Sequence, residues 1–105
     1  MRVYFSMIRK DLQFVLRSIV RRSHEVAEDP RVADLIVTNS PDAAEKFLEQ
    51  YSTVQVLVAL SAIPRESEMS KAEALIKRHP CRAHIRPLFS EKAEDTAVAF
   101  LLNLE

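Results

Sequence analysis

The chain has 105 residues, of which 48% are hydrophobic and 29% charged; that suits one domain with its own core and excludes a disordered chain. Fifteen basic side chains balance fifteen acidic ones, which argues against a dedicated nucleic-acid binder, because phosphate affinity rests on surplus Lys and Arg. There is no glycine, so a Walker A loop, a G-x-G-x-x-G dinucleotide fingerprint and a G-x-S-x-G nucleophile elbow are all excluded.

The single cysteine, Cys81, has no partner for an internal disulfide, so a reducing cytoplasm is the expected compartment. Met1 to Phe5 is too short, and too soon followed by Arg9, Lys10 and Asp11, to read as a signal peptide. No apolar run approaches the roughly 20 residues that cross a bilayer.

Alternation of Val3, Phe5 and Met7 with Tyr4, Ser6 and Ile8 predicts a first strand over 2–7. A helix over 9–24 follows, with Leu12, Val15, Leu16, Ile19 and Val20 on its buried side and Arg17, Arg21 and Arg22 on its solvated side. The polar run 25–31, with Glu28-Asp29-Pro30 inside it, reads as a loop. Residues 33–38 (Ala-Asp-Leu-Ile-Val-Thr) form the second predicted strand. Asn39-Ser40-Pro41-Asp42 then starts a helix by rule, with Ser40 as N-cap, proline at the first helical position and an acid in the first turn. Ala43, Ala44, Phe47, Leu48 and Tyr51 supply its inner stripe.

The third predicted strand is Val54-Gln55-Val56-Leu57-Val58-Ala59-Leu60, closed by Ser61-Ala62-Ile63-Pro64. Apolar on both faces, it belongs between two helix layers in a parallel sheet. A helix over 66–78 turns Met69, Ala72, Leu75 and Ile76 inward and ends in basic residues before Pro80. The fourth predicted strand, 81–88, places Cys81, Ala83 and Ile85 on one face and Arg82, His84 and Arg86 on the other, as an edge strand with one wet side would. Ser90-Glu91-Lys92 caps a last helix to the chain end. Its Ala97–Leu102 block is apolar nearly all round, which predicts a contact with a second copy or another protein.

The expected architecture is therefore α/β: a single flavodoxin-like domain, a doubly wound four-stranded parallel sheet of order 2-1-3-4 with helices on both faces.

Ligands of such sheets lie beyond the carboxyl ends of the strands. Here that rim carries Ser6, Met7, Thr38, Asn39, Ser40, Ser61, Phe89 and Ser90, hydroxyls and an amide without an acid or a histidine to activate them. Asp34 opens its strand at the opposite edge, and Asp11 is the one carboxylate near the rim. The alternative reading is a small-ligand or anion binder, or an enzyme of unrecognised type, using the rim at Ser6, Asn39, Ser40, Ser61 and Ser90, with an anion such as phosphate at the helix N-termini near Asn39, Ser40 and Ser61. His79-x-Cys81-x-x-His84 does not make a metal site, because a strand sends Cys81 and His84 to opposite faces and a fourth ligand is wanting. A small buried Cys81 and two surface histidines are expected instead, and no cofactor. Arg78, Arg82, His84 and Arg86 form a basic strip that suits an acidic protein partner or guards the edge against strand pairing.

From Thr38 to Pro64 the chain resembles the CheY-like receiver domain of response regulators. Thr38-Asn39-Ser40-Pro41-Asp42-Ala43-Ala44 is similar to a receiver strand-to-helix passage, Val56–Pro64 to the strand whose aspartate is followed by a proline four residues on, and Arg86-Pro87 to the family's Lys-Pro. In that resemblance the places of the cation-holding acid pair fall on Ser6 and Met7, and that of the phosphate-accepting aspartate on Leu60, beside Ser61. None of these holds Mg²⁺ or forms an aspartyl phosphate. The segment from Pro64 to Arg86 is one strand-and-helix unit short. The resemblance implies a degenerate pseudo-receiver that regulates or scaffolds by contact, through Arg82, His84, Arg86, Val98, Phe100, Leu101 and Leu102, with a protein partner or a second copy of itself.

Overall fold

The computed structural model describes residues 1–7, 9–60, 65–88 and 90–104. Five parallel strands form one sheet: β1 (Arg2–Ser6), β2 (Glu25–Val26), β3 (Leu35–Thr38), β4 (Gln55–Leu60) and β5 (Ala83–Pro87), in the order β2-β1-β3-β4-β5. Four helices, α1 (Lys10–Val20), α2 (Pro41–Gln50), α3 (Glu66–Arg78) and α4 (Ala97–Leu102), cover it on both faces. The α/β, parallel, doubly wound class is thus present, with five strands where four were expected. Among the described residues no helix is long and apolar enough to cross a membrane.

The extra strand lies inside the predicted 25–31 loop. Glu25 and Val26 pair with Arg2 and Val3, and the short length and polar flanks hid the pairing from periodicity. It also changes which residues neighbour which. The 33–38 segment was expected outside strand one. Instead β3 lies between β1 and β4, Ile36 registering with Tyr4 on one side and Val56 on the other, while β2 takes the outer position. Full burial on both faces, Leu35 to Thr38, goes with that central place.

Two cores result. Val3, Phe5, Leu35, Val37, Leu57 and Ala59 meet Leu16 and Val20 of α1 and Ala97 and Leu101 of α4. On the other face Ile36, Val56, Val58 and Leu60 meet Ala44 and Leu48 of α2 and Ala72 and Leu75 of α3. Alternation along each strand deals its residues to the two layers in turn.

No helix joins β2 to β3. Residues 27–34 cross as a strap with a single 3-10 turn, Pro30–Val32, whose first residue follows an Asp29 side chain that accepts from the Arg31 N–H at 2.8 Å. By alternation the β1 face turned away from α1 carries Arg2, Tyr4 and Ser6, of which only the Tyr4 ring takes apolar cover. The Tyr4 ring meets Phe47 edge-on at 6.3 Å, and Phe47 stacks on Tyr51 at 6.4 Å.

Helix ends follow local chemistry. Ser40 caps α2 by accepting from Ala43 N–H at 3.3 Å, as expected from its sequence. The last helix is shorter than predicted: a 3-10 turn occupies Ala93–Asp95, and Thr96 rather than Ser90 is the N-cap of α4, accepting from Ala99 N–H at 3.2 Å. α1 ends at Val20, four residues early, as the chain turns into β2. Val15, predicted inside, is 53% exposed, because Leu16 and Val20 hold the centre of the buried stripe and Val15 falls a quarter-turn or more from it.

Candidate functional site

The carboxyl ends of the five strands form one rim. α1 leaves β1 toward one face and α2 leaves the adjacent β3 toward the other, so the sheet's switch point lies between those two strand ends. An open cleft of about 360 Å³ sits there, lined by Ser6, Lys10, Gln13, Thr38, Asn39 and Ser40 among others. Ser6, Asn39 and Ser40 of the predicted ligand set are therefore together; Ser90 lies elsewhere, accepting from its neighbour Lys92 N–H at 3.3 Å, and Ser61 falls outside the described residues.

Much of the cleft's polarity is already engaged. The buried Thr38 hydroxyl accepts from Ser40 N–H at 3.2 Å, and Ser40 in turn caps α2. Gln13 Oε1 accepts from Met7 N–H at 3.4 Å. Lys10, missed by a reading confined to strand ends, brings the positive charge. Asp11 points its carboxylate at Arg9 (2.7 Å), whose hydrogen bond holds it below the ordinary carboxylate range; it does not line the cleft. The chemistry offered is that of a small anion held by an ammonium and hydroxyls, with no described histidine or carboxylate among the lining residues to act as a base.

His79, Cys81 and His84 do not converge. His79 caps α3, Cys81 is exposed in the turn before β5 and not buried as predicted, and His84 Nε2 lies 3.1 Å from Gln55 Oε1. Among the described residues no three His, Cys, Asp or Glu side chains are grouped to hold a metal.

The predicted contact strip does not form one surface. Arg82 is engaged inside the chain: Nε donates to Val54 O at 2.9 Å and Nη2 to Leu48 O at 3.1 Å, with a further bond to Tyr51 O, closing the end of α2. Leu101 is 2% exposed and belongs to the core, which removes it from any contact surface in the folded chain. His84, Arg86 and Phe100 form one cluster, the Phe100 ring lying 5.1 Å from the imidazole and 5.5 Å from the guanidinium carbon. Burial, and then the charge of Arg86, lower the His84 pKa below its usual 6.5. Val98 is partly buried against the α1 side of the core, and only Leu102 of the strip's apolar residues is freely exposed.

β5 itself is a blunted edge. Arg82 O and Leu88 N–H bond toward β4, so by parallel alternation Ala83, Ile85 and Pro87 turn their backbone outward. The Ala83 N–H is taken by His79 O, Arg86 Nη1 covers Ile85 O at 2.7 Å, and Pro87 has no N–H.

The exposed large apolar side chains lie elsewhere: Phe14 (71%) and Val15 on α1 and Leu102 (60%) on α4, helices of one layer, with Met1 at the chain start and Val32 (51%) on the strap between β2 and β3 apart from them. The signal was in the helical wheel: Phe14 falls with Lys10, Ser18 and Arg21, nearly opposite Leu16 and Val20. The lower ends of the two helices are tied together by His24, whose Nε2 lies 3.2 Å from Leu104 O.

Comparison of the chain with protein-family models, with curated proteins and with solved structures returns no match.

Proposed function

We propose that the chain is a non-catalytic regulatory or scaffolding module of receiver-like fold that binds a protein through the outer side of the α1/α4 layer. The observation that carries this reading is that three of the five large apolar side chains exposed among the described residues, Phe14, Val15 and Leu102, lie on the two helices of one layer. The five-stranded parallel sheet is compatible with the flavodoxin-like class, and on the receiver reading it shifts the register of the comparison. With β2 counted, the third strand is β3, and the place of the phosphate-accepting aspartate moves from Leu60 to Asn39, whose amide forms no acyl phosphate. On that reading the segment between Pro64 and Arg86 lacks no strand-and-helix unit, and the departure from a receiver is the 27–34 strap standing where a helix would join β2 to β3.

The test is affinity capture from host cells with wild type and with Phe14→Glu, Val15→Glu and Leu102→Glu. A protein held by wild type and lost from all three variants supports the reading; an identical set of captured proteins removes it.

The cleft at the switch point favours a second reading, a small anion held by Lys10 and the Ser6, Asn39 and Ser40 groups. Thermal-shift measurement with inorganic phosphate, nucleotides and Mg²⁺ decides it. A ligand of the folded state must raise the melting temperature, so an unmoved transition at millimolar concentrations eliminates this second reading.

A further inference from the structure

Phe14, the most exposed of the large apolar side chains described, stands among cations. At about 100° per residue, Lys10, Phe14, Arg17 and Arg21 fall within about 60° of one another on α1, a stripe that carries no acid. With Gln13 they line an open cleft of about 300 Å³. Glu28 is the one acid paired with these side chains among the described residues, on Arg17 at 3.0 Å; Lys10 and Arg21 form no ion pair there. Glu25 and Asp34, which share the lower crevice with Arg21, are both engaged by Arg2, through its Nε at 3.2 Å and its backbone N–H at 2.8 Å. Asp11, the acid of α1, is held by Arg9. Lys10 and Gln13 also line the switch-point cleft with Ser6, Asn39 and Ser40, so the two clefts adjoin along the first turn of α1.

We infer that this double cleft takes a nucleoside phosphate, with the phosphate held by the Lys10 ammonium and the Ser6 and Ser40 hydroxyls and the base stacked on the Phe14 ring. Walls made of cations and a bare phenyl ring complement an anion that carries a flat apolar part. Lys10 and Phe14 are one turn apart, about 6 Å along the helix axis, a distance that a ribose bridges. A phenyl ring stacks any base, because every base has a π-face. Without glycine no backbone loop wraps the phosphate, so side chains do the holding. A patch of three cations on a neutral chain suits a ligand of one or two phosphates and not a long duplex. The inference rests on the anion reading above and names its ligand class; a base on Phe14 competes with a protein for that side chain.

Isothermal titration calorimetry on the full chain tests it, with AMP, GMP, inorganic phosphate and adenosine as probes. The nucleotides bind about tenfold more tightly than phosphate or adenosine, as stacking adds to charge. Phe14→Leu brings them down to the affinity of phosphate, Phe14→Tyr keeps them, and Lys10→Gln weakens nucleotides and phosphate alike. Both positions are exposed, so far-UV circular dichroism stays native in all three variants. A single-stranded pentanucleotide separates the sources of the ligand: tighter binding than either mononucleotide supports the inference with nucleic acid as the source, and equal binding supports it with the free nucleotide.

Nucleotides that bind no better than phosphate, or that lose nothing in Phe14→Leu, overturn the inference and leave the anion reading standing. No heat from any probe at millimolar concentration removes both. A peptide of alternating Glu and Phe that binds where the nucleotides do not also overturns the inference, and returns Phe14 to the contact reading.

Discussion

Arg82 lies at the foot of β5, yet its Nε reaches the carbonyl of Val54 at 2.9 Å, across the turn that leads out of α2. The same guanidinium takes the carbonyls of Leu48 and Tyr51, at the helix end where intrahelical partners have run out. One side chain thus pins the last turn of α2 to the start of β4 and to the edge strand.

Arg82→Ala leaves those carbonyls without their charged donor and lowers unfolding free energy by about 2 kcal/mol, read from urea denaturation. Arg82→Lys recovers little, because one ammonium on a flexible stem does not reproduce the planar fork. A lysine variant as stable as wild type would show that charge alone matters there.

Leu101 and Leu102 are neighbours in α4 with opposite environments. Leu101→Ala removes a core side chain and costs about 3 kcal/mol. Leu102→Ser, at the surface, changes monomer stability by less than about 0.5 kcal/mol. Equal effects in chemical denaturation would contradict the placement of α4.

His84 makes stability depend on pH in a defined window. Burial and Arg86 depress its folded pKa, so the unfolded chain takes up the proton first as pH falls through about 6.5. The stability it contributes is complete above that value, declines as pH falls toward the lower folded pKa, and falls no further on this account below it. His84→Gln keeps a hydrogen-bonding side chain opposite Gln55 and flattens the pH dependence of the urea midpoint between about pH 7 and 5. Asp11 and Asp29, both lowered below 3.8 by Arg9 and Arg31 respectively, titrate beneath that window. An NMR titration placing the His84 midpoint above 6.5 contradicts the assignment.

The β5 edge is guarded by Arg86 over Ile85 O and by the missing N–H of Pro87. Arg86→Thr with Pro87→Val restores an outward donor and frees an acceptor, so the variant aggregates faster on warming, by turbidity, while its circular dichroism stays native before aggregation. Unchanged turbidity would mean the edge is covered by something else.

Local chemistry was legible where a residue acts on its own neighbours in the chain. Ser40-Pro41 starts α2 because the cap, the missing N–H and the backbone angles concern only a few successive residues. The apolar run of β4 announces a strand buried on both faces because alternation leaves no polar side, and the inward residues of α3 follow from 3.6-residue periodicity. The absence of glycine closed off the phosphate loops in the same direct way.

What concerns distant partners was decided by the tertiary structure alone. Glu25 and Val26 are a strand because Arg2 and Val3 are there to bond them, which no pattern within two residues expresses. Once that edge forms, β3 moves to the centre of the sheet and the switch point moves to Ser6 and Asn39. Arg82 reads as a surface charge until α2 brings its carbonyls within reach, and Leu101 reads as spare apolar surface until α1 and the sheet close over it. Composition and spacing set which residues avoid water, but which of them find one another depends on strand order, and strand order is a property of the whole chain.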